Sequence, residues 1–189
     1  MKKISTLFKK DPNDLGRVIN EVDPENKWVI RGEGIATRKF DGSACAIISG
    51  ELYKRYDAKK GKTPPAGAIQ CQEPDLKSGH WPHWVKCSID NPADCFFMDA
   101  LEKLVFESDY KLSDLDGTYE LVSPKVNGNP ENFNYHELIP HGRSTIEIID
   151  YSFVGIKVLI NTLPYEGIVF HHPDGRMCKI RKCDYGLKR

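Results

Sequence analysis

The sequence predicts an α+β domain in which antiparallel sheets are flanked by helices, and three observations predict it. Short runs that alternate apolar and polar residues, punctuated by glycine and proline, recur through most of the chain. Two segments, one after Asn91-Pro92 and one after Ser152, repeat their apolar residues at helical spacing instead. Strands and helices do not alternate regularly, as a doubly wound parallel sheet requires. The 189 residues fit one domain, by the soft prior of ~100 to 200 residues per domain. A single domain over residues 1–189 is therefore expected.

In chain order, Trp28-Val29-Ile30-Arg31 and Ile35-Ala36-Thr37-Arg38-Lys39-Phe40 read as strands joined through Gly32 and Gly34. Ala44-Cys45-Ala46-Ile47-Ile48 resumes the pattern after Asp41-Gly42, and Glu51-Leu52-Tyr53-Lys54-Arg55-Tyr56 alternates as another strand. The stretch from Lys59 to Gly67, rich in lysine, glycine and proline, reads as a mobile loop. Asn91 is an N-cap and Pro92 a first-turn proline for a helix that carries Phe96, Phe97, Ala100, Leu101, Leu104 and Val105 through Glu107. Gly117-Thr118-Tyr119-Glu120-Leu121-Val122 reads as a strand. Asp150-Tyr151-Ser152 reads as the cap of a helix with Val154, Ile156, Val158 and Leu159. Glu166 to Phe170 and Met177 to Arg181 pair as a hairpin across His171-His172-Pro173-Asp174-Gly175.

Composition narrows the function classes. Lys plus Arg and Asp plus Glu number 27 each, so no global field drives bulk nucleic-acid binding and any such contact is local. No apolar run approaches the ~18 residues of a membrane span, and the basic N-terminus lacks the apolar stretch of a secretory signal, so a cytoplasmic protein is expected. In that compartment the six cysteines are expected as thiols. Cys71, His80, His83 and Cys87 lack the paired Cys-x2-Cys spacing that marks zinc. Neither a Gly-x-x-x-x-Gly-Lys loop nor a Gly-x-Gly-x-x-Gly turn occurs, so phosphate chemistry of the P-loop kind is excluded.

A different phosphate chemistry is suggested by Lys39-Phe40-Asp41-Gly42. A lysine where a strand ends, beside an acid and a glycine, suits an amine nucleophile attacking a phosphate. A plain β-turn with Asp-Gly at its tip accounts for the same four residues. An attacking amine must be neutral, so it needs cations or a metal nearby, and Lys179 and Arg181 are the candidates. These two alternate with Cys178 and Ile180, which puts both on one face of a strand, as phosphate ligands require.

Lys39-Phe40-Asp41-Gly42, Lys54-Arg55-Tyr56, Tyr119-Glu120-Leu121-Val122, Glu166-Gly167-Ile168-Val169 and Lys179-Ile180-Arg181-Lys182 occur in that order, with 81, 46 and 13 residues separating Lys39, Glu120, Glu166 and Lys179. The set resembles the motifs of covalent nucleotidyltransferases, the polynucleotide ligases and mRNA capping enzymes, and covers most of the chain. Tyr119 to Pro130, with Gly79-His80-Trp81-Pro82 upstream, is most similar to the RNA ligase branch.

The resemblance implies a ligase-type nucleotidyltransferase (adenylation) domain and an ATP-dependent RNA ligase, with RNA repair as its setting. Lys39 is then the catalytic nucleophile. It forms lysyl-AMP with loss of pyrophosphate, the AMP passes to an RNA 5′-phosphate, and a 3′-hydroxyl displaces it. The implied nucleotide-binding residues are Thr37, Arg38, Asp41, Gly42, Arg55, Glu120, Phe153, Glu166, Lys179 and Arg181, and Glu120 and Glu166 are the implied ligands of Mg²⁺ or Mn²⁺. The family usually has lysine at both places of its last motif. Arg181 departs from it, and a guanidinium suits charge stabilisation better than acid/base work. Lys182 is an alternative partner that should face away.

Ordinary structural roles stand beside several of these. Arg55 and Glu120 also read as solvated strand charges, and Phe153 as a core phenylalanine at a helix start instead of an adenine-stacking ring. His80, Trp81, His83 and Trp84 read either as an RNA-stacking rim or as a packed loop. His136, His141, His171 and His172 fall in none of the five motifs and are assigned no role. The sequence ends seven residues after Lys182. A minimal catalytic core without a C-terminal oligonucleotide-fold or accessory domain is therefore expected, with RNA specificity supplied by a protein partner or the short N-terminal arm. A capping-type guanylyltransferase that uses GTP, and a non-catalytic nucleotide or RNA binder, are the alternatives.

Overall fold

The computed structural model describes residues 2–59, 61–75, 79–108 and 110–188. In chain order its strands and helices are β1 (Ser5–Thr6), β2 (Phe8–Lys10), β3 (Val18–Val22), α1 (Lys27–Ile30), β4 (Ile35–Lys39), β5 (Ser43–Ile48), β6 (Glu51–Asp57), β7 (Ile69–Gln70) and β8 (Pro82–Lys86). They continue with α2 (Cys95–Glu107), β9 (Gly117–Val122), β10 (Glu137–Pro140), β11 (Thr145–Ile146), α3 (Phe153–Thr162), β12 (Gly167–His171) and β13 (Met177–Arg181). The fold is mixed α+β, built on antiparallel sheets with few helices. None of the helices among the described residues is long and apolar enough to cross a membrane. Of the expected loop from Lys59 to Gly67, Lys60 lies outside the described residues, and the others hold neither helix nor strand.

The chain divides into two compact units. One comprises Ile4–Phe40 and Gly142–Arg189. Among its described residues the strands order β1-β13-β12-β4-β11, with β1 parallel to β13 and the other pairs antiparallel; β2 and β3 form a separate ribbon. Side chains alternate across the sheet. Ala36, Ile168, Phe170, Cys178 and Ile180 face a core that also buries Trp28, Ile156 and Ile160. That alternation leaves Thr37, Lys39, Val169, Lys179 and Arg181 on the opposite face. The lysine ends its strand as expected, and the expected hairpin forms, with its turn closed by the His172 N–H donating to Arg176 O at 2.9 Å.

The expected strand over Trp28 to Arg31 is instead the helix α1. The Asp23 carboxylate accepts the Glu25 N–H, and Pro24 opens a 3₁₀ turn over Pro24–Asn26, so the backbone is already helical when it reaches Lys27. Trp28 and Val29 are both buried, which adjacent residues of a strand could achieve only by facing two different interiors. The Ser152 hydroxyl caps α3 by accepting the Gly155 N–H, and α3 packs Ile156 and Ile160 on the sheet's core face.

The other unit comprises Met1–Lys3 and Asp41–His141. Among its described residues the strands order β10-β9-β5-β6-β8-β7, all antiparallel. Cys45, Ile47, Leu52, Tyr119, Leu121 and Leu138 form its core with Ala100 of α2. As expected, Asn91 caps the entry to α2, its side chain accepting the Ala93 N–H. Buried Asp94 then binds the Lys54 ammonium, the Ser88 N–H and the Asn91 amide. A carboxylate removed from water needs such partners.

Candidate active site

The unit built on β4, β12 and β13 gathers four of the residues singled out in the sequence. Lys39 and Arg181 both lie directly opposite Gly167, one on each neighbouring strand, and Thr37 and Lys179 lie opposite Val169 in the same way. Directly opposed residues in antiparallel pairs point to the same face, so Thr37, Lys39, Lys179 and Arg181 share one. Two strand spacings put Lys39 and Arg181 about 10 Å apart at their backbones. Gly167 is required here by proximity: a Cβ would run into Ile180 O and lie 2.8 Å from the Arg181 Cα.

Glu166 stands at the edge of this face. Its Oε2 accepts from Lys39 Nζ at 2.5 Å, and its Oε1 is 3.9 Å from an Arg181 terminal nitrogen. Both partners of the first pair are partly shielded, with side-chain exposures of 20% for Lys39 and 10% for Glu166. Lys39 Nζ also donates to Phe40 O at 3.1 Å. Lys179 has no side-chain hydrogen bond or ion pair among the described residues. Burial, and then the charges of Arg181 and Lys39, draw its ammonium down to about 8. An unpaired, half-desolvated cation of this kind is ready to accept an anion.

Arg181 is held from the other side. Asp184 Oδ2 accepts from the Arg181 N–H at 2.9 Å and from its Nε at 3.2 Å, and Oδ1 accepts from its NH2 at 3.0 Å and from Lys10 Nζ at 2.6 Å. Burial works against the Arg181 charge, but the Asp184 hydrogen bonds and charge outweigh it and hold the guanidinium above its ordinary range. Burial likewise pushes the Asp184 carboxyl up, yet the bonds from Arg181 and Lys10 bring it below the usual carboxylate range. Lys182 is buried and donates to Leu163 O at 2.5 Å, away from Lys39 as alternation requires.

The neighbours of Lys39 in its strand are engaged elsewhere. The Thr37 hydroxyl donates to Val169 O at 3.2 Å and lies 2.9 Å from His171 Nε2, so the ring nitrogen is the donor in that second bond. The Arg38 guanidinium sits over the Phe40 and Tyr165 rings, 4.4 and 4.6 Å from their centroids. Phe153 packs on the core cluster, edge-to-face with Phe8 and Tyr185 at 4.9 Å each. The core takes it, and it does not share the face that carries Lys39.

Asp41, Gly42, Arg55 and Glu120 belong to the other unit. Glu120 Oε1 accepts the Gly42 N–H at 3.0 Å, and a Cβ on Gly42 would collide with Leu121 O, so the motif glycine is a close-approach residue beside β9. Asp41 Oδ1 accepts from Asn127 Nδ2 at 3.0 Å, and the Asp41 N–H donates to Glu131 at 2.9 Å, tying down the loop after β9. Cys45 faces Lys54 and Tyr119, so the adjacent positions Arg55 and Glu120 share the opposite, non-core face of this sheet. His83 and Trp84 are buried, which makes Trp81-Pro82-His83-Trp84 a packed segment.

Three partnerships escaped the sequence reading. Asp184 lies outside every motif. Its signal was an acid three residues beyond Arg181, the spacing at which a side chain folds back on the backbone N–H. His141 donates to or accepts from Glu120 Oε2 at 3.1 Å and Thr118 Oγ1 at 3.0 Å, and no local pattern signals either contact. The Thr37–His171 bond joins residues 134 positions apart. Among the described residues, His, Cys, Asp and Glu do not gather in threes as a metal cage. No family model matches the chain, and no curated protein matches it at a significant level.

Proposed function

We propose that this chain is an ATP-dependent RNA ligase that carries AMP on Lys39, and that its α+β fold is of the ligase-type nucleotidyltransferase kind. One observation carries the reading: the lysine of a Lys-x-Asp-Gly motif ends a strand within hydrogen-bond reach of Glu166, with Lys179 and Arg181 on the same sheet face. The ordered motifs of the sequence support it.

In the first step the Lys39 Nζ lone pair attacks the α-phosphorus of ATP. An N–P bond forms, the bond to the pyrophosphate oxygen breaks, and the proton leaving Nζ passes to the Glu166 carboxylate 2.5 Å away. Lys179 and Arg181 meet the charge that develops on the phosphates and the departing pyrophosphate. Next, an oxygen of an RNA 5′-phosphate attacks the same phosphorus, the N–P bond breaks, and Lys39 takes back the proton held by Glu166. Finally a 3′-hydroxyl attacks the activated 5′-phosphate, the new P–O bond forms, the bond to AMP breaks so that AMP leaves, and the hydroxyl proton passes to solvent.

Glu166 would hold Mg²⁺ or Mn²⁺, which take one or two carboxylates together with substrate phosphate oxygens. A divalent ion held there supplies further neutralisation of phosphate charge. The test is incubation with α-³²P-labelled ATP or GTP and a divalent metal, beside Lys39→Ala, with label counted on denatured protein. Label from ATP that vanishes in Lys39→Ala supports the ligase reading. Label from GTP alone favours a capping-type enzyme, and label from neither overturns both.

A further inference from the structure

Asp184 is the most completely enclosed acid in its unit, with a side-chain exposure of 0%, and the five sequence motifs leave it without a role. A carboxylate so buried persists only when its charge is met. Here it is met by two cations, Lys10 and Arg181, and by a backbone N–H. The guanidinium is gripped along its Nε and NH2 edge, in the fork geometry that arginine offers to a carboxylate. The remaining terminal nitrogen, NH1, is turned toward Glu166 at 3.9 Å, too long for a hydrogen bond.

Lys179, on the same strand and the same face, has no side-chain hydrogen bond or ion pair among the described residues and its ammonium is drawn down to about 8, whereas Arg181 is fixed in place and permanently charged. Counting formal charges, Lys10, Lys39, Lys179 and Arg181 stand against Glu166 and Asp184, which leaves the cluster at +2 when Lys179 is protonated and +1 when it is not. An excess of positive charge in a half-buried cluster calls for an anion.

We propose that Asp184 is a positioning residue: by clamping one edge of Arg181 it presents NH1 as a pre-organised anchor for the terminal phosphates of a nucleoside triphosphate, or for the pyrophosphate that leaves it. The identity of the anion rests on the ligase reading, while the clamp itself does not. Without the clamp, Arg181 has to be ordered when the ligand arrives, and that entropy is lost from binding.

Calorimetric titration of inorganic pyrophosphate into the wild type, Asp184→Asn, Arg181→Ala and the double variant tests this, with circular dichroism confirming that each is folded. Asp184→Asn should weaken pyrophosphate about tenfold, the size seen when a partner that orients a ligand is removed, and should have less than about a twofold effect once Arg181 is alanine. Equal effects in both backgrounds, or no binding of pyrophosphate to the wild type, overturn the proposal. If Asp184→Asn fails to fold, Arg181→Lys serves in its place: it keeps the cation but loses the fork, and binding as tight as wild type overturns the proposal. Retention of label from ATP is scored separately. Absent label with coupled pyrophosphate binding removes the ligase reading and leaves the clamp standing.

Discussion

Lys39 and Arg181 flank one glycine, Gly167, across adjacent strands of a single sheet, and both project to the face opposite the hydrophobic core. The relationship unites the first and last motifs of the chain in one rigid element. The antiparallel ladder sets their spacing, which no loop movement alters.

Gly167→Ala is expected to disturb that ladder. The new methyl would meet Ile180 O and Arg181 Cα, both backbone and neither able to rotate away. Overpacking of this kind costs about 1–3 kcal/mol. Urea denaturation should show the loss, and labelling at Lys39 should fall with it, because β13 has to shift to make room.

Glu166→Gln removes the carboxylate paired with Lys39 while keeping the shape of the side chain. Single-turnover labelling with ATP is expected to slow by about a hundredfold, the lower end of a lost general base. An unchanged rate would assign the proton to another acceptor.

Lys179 sets a dependence of stability on pH. Its ordinary value is 10.5, and in the folded chain burial leads the descent to about 8. Between these values the unfolded chain binds the extra proton, so stability rises with pH through that window, and the cost of burying the cation is fully present below about pH 8. Lys179→Met should abolish this part of the slope and raise stability at pH 7, while weakening pyrophosphate. Denaturation midpoints of both proteins from pH 7 to 10.5 provide the check; a slope the same in both excludes Lys179 as its source.

Phe153→Ala should lower stability by about 3 kcal/mol, the lower end for a ring that is only partly buried, through lost contact with Phe8, Tyr185 and the core. Labelling at saturating ATP should persist in the folded fraction. Loss of labelling with stability intact would assign the ring to the nucleotide.

Local chemistry made much of this protein legible. The strand that ends at Lys39, the hairpin of β12 and β13, and the caps at Asn91 and Ser152 each follow from periodicity or a single side chain beside its own backbone. Even the shared face of Lys179 and Arg181 follows from a period of two.

The segment at Trp28 folds as a helix where its residue types favour a strand. Its aromatic and β-branched residues favour a strand, but an upstream Asp-Pro cap and the burial of two consecutive side chains impose a helix. Phe153, for which the sequence leaves a core role open, packs edge-to-face on Phe8 and Tyr185, which are 145 and 32 residues away.

The mixed α+β class, the ends of several central elements and the common face of Lys179 and Arg181 were legible in the chain, because spacing and capping act within a few residues. Tertiary structure alone decided which charges meet: Lys39 with Glu166 across 127 residues, and Asp184 with Lys10 across 174. Those pairings depend on strand register and on desolvation, which exist only once the sheet has closed over its core.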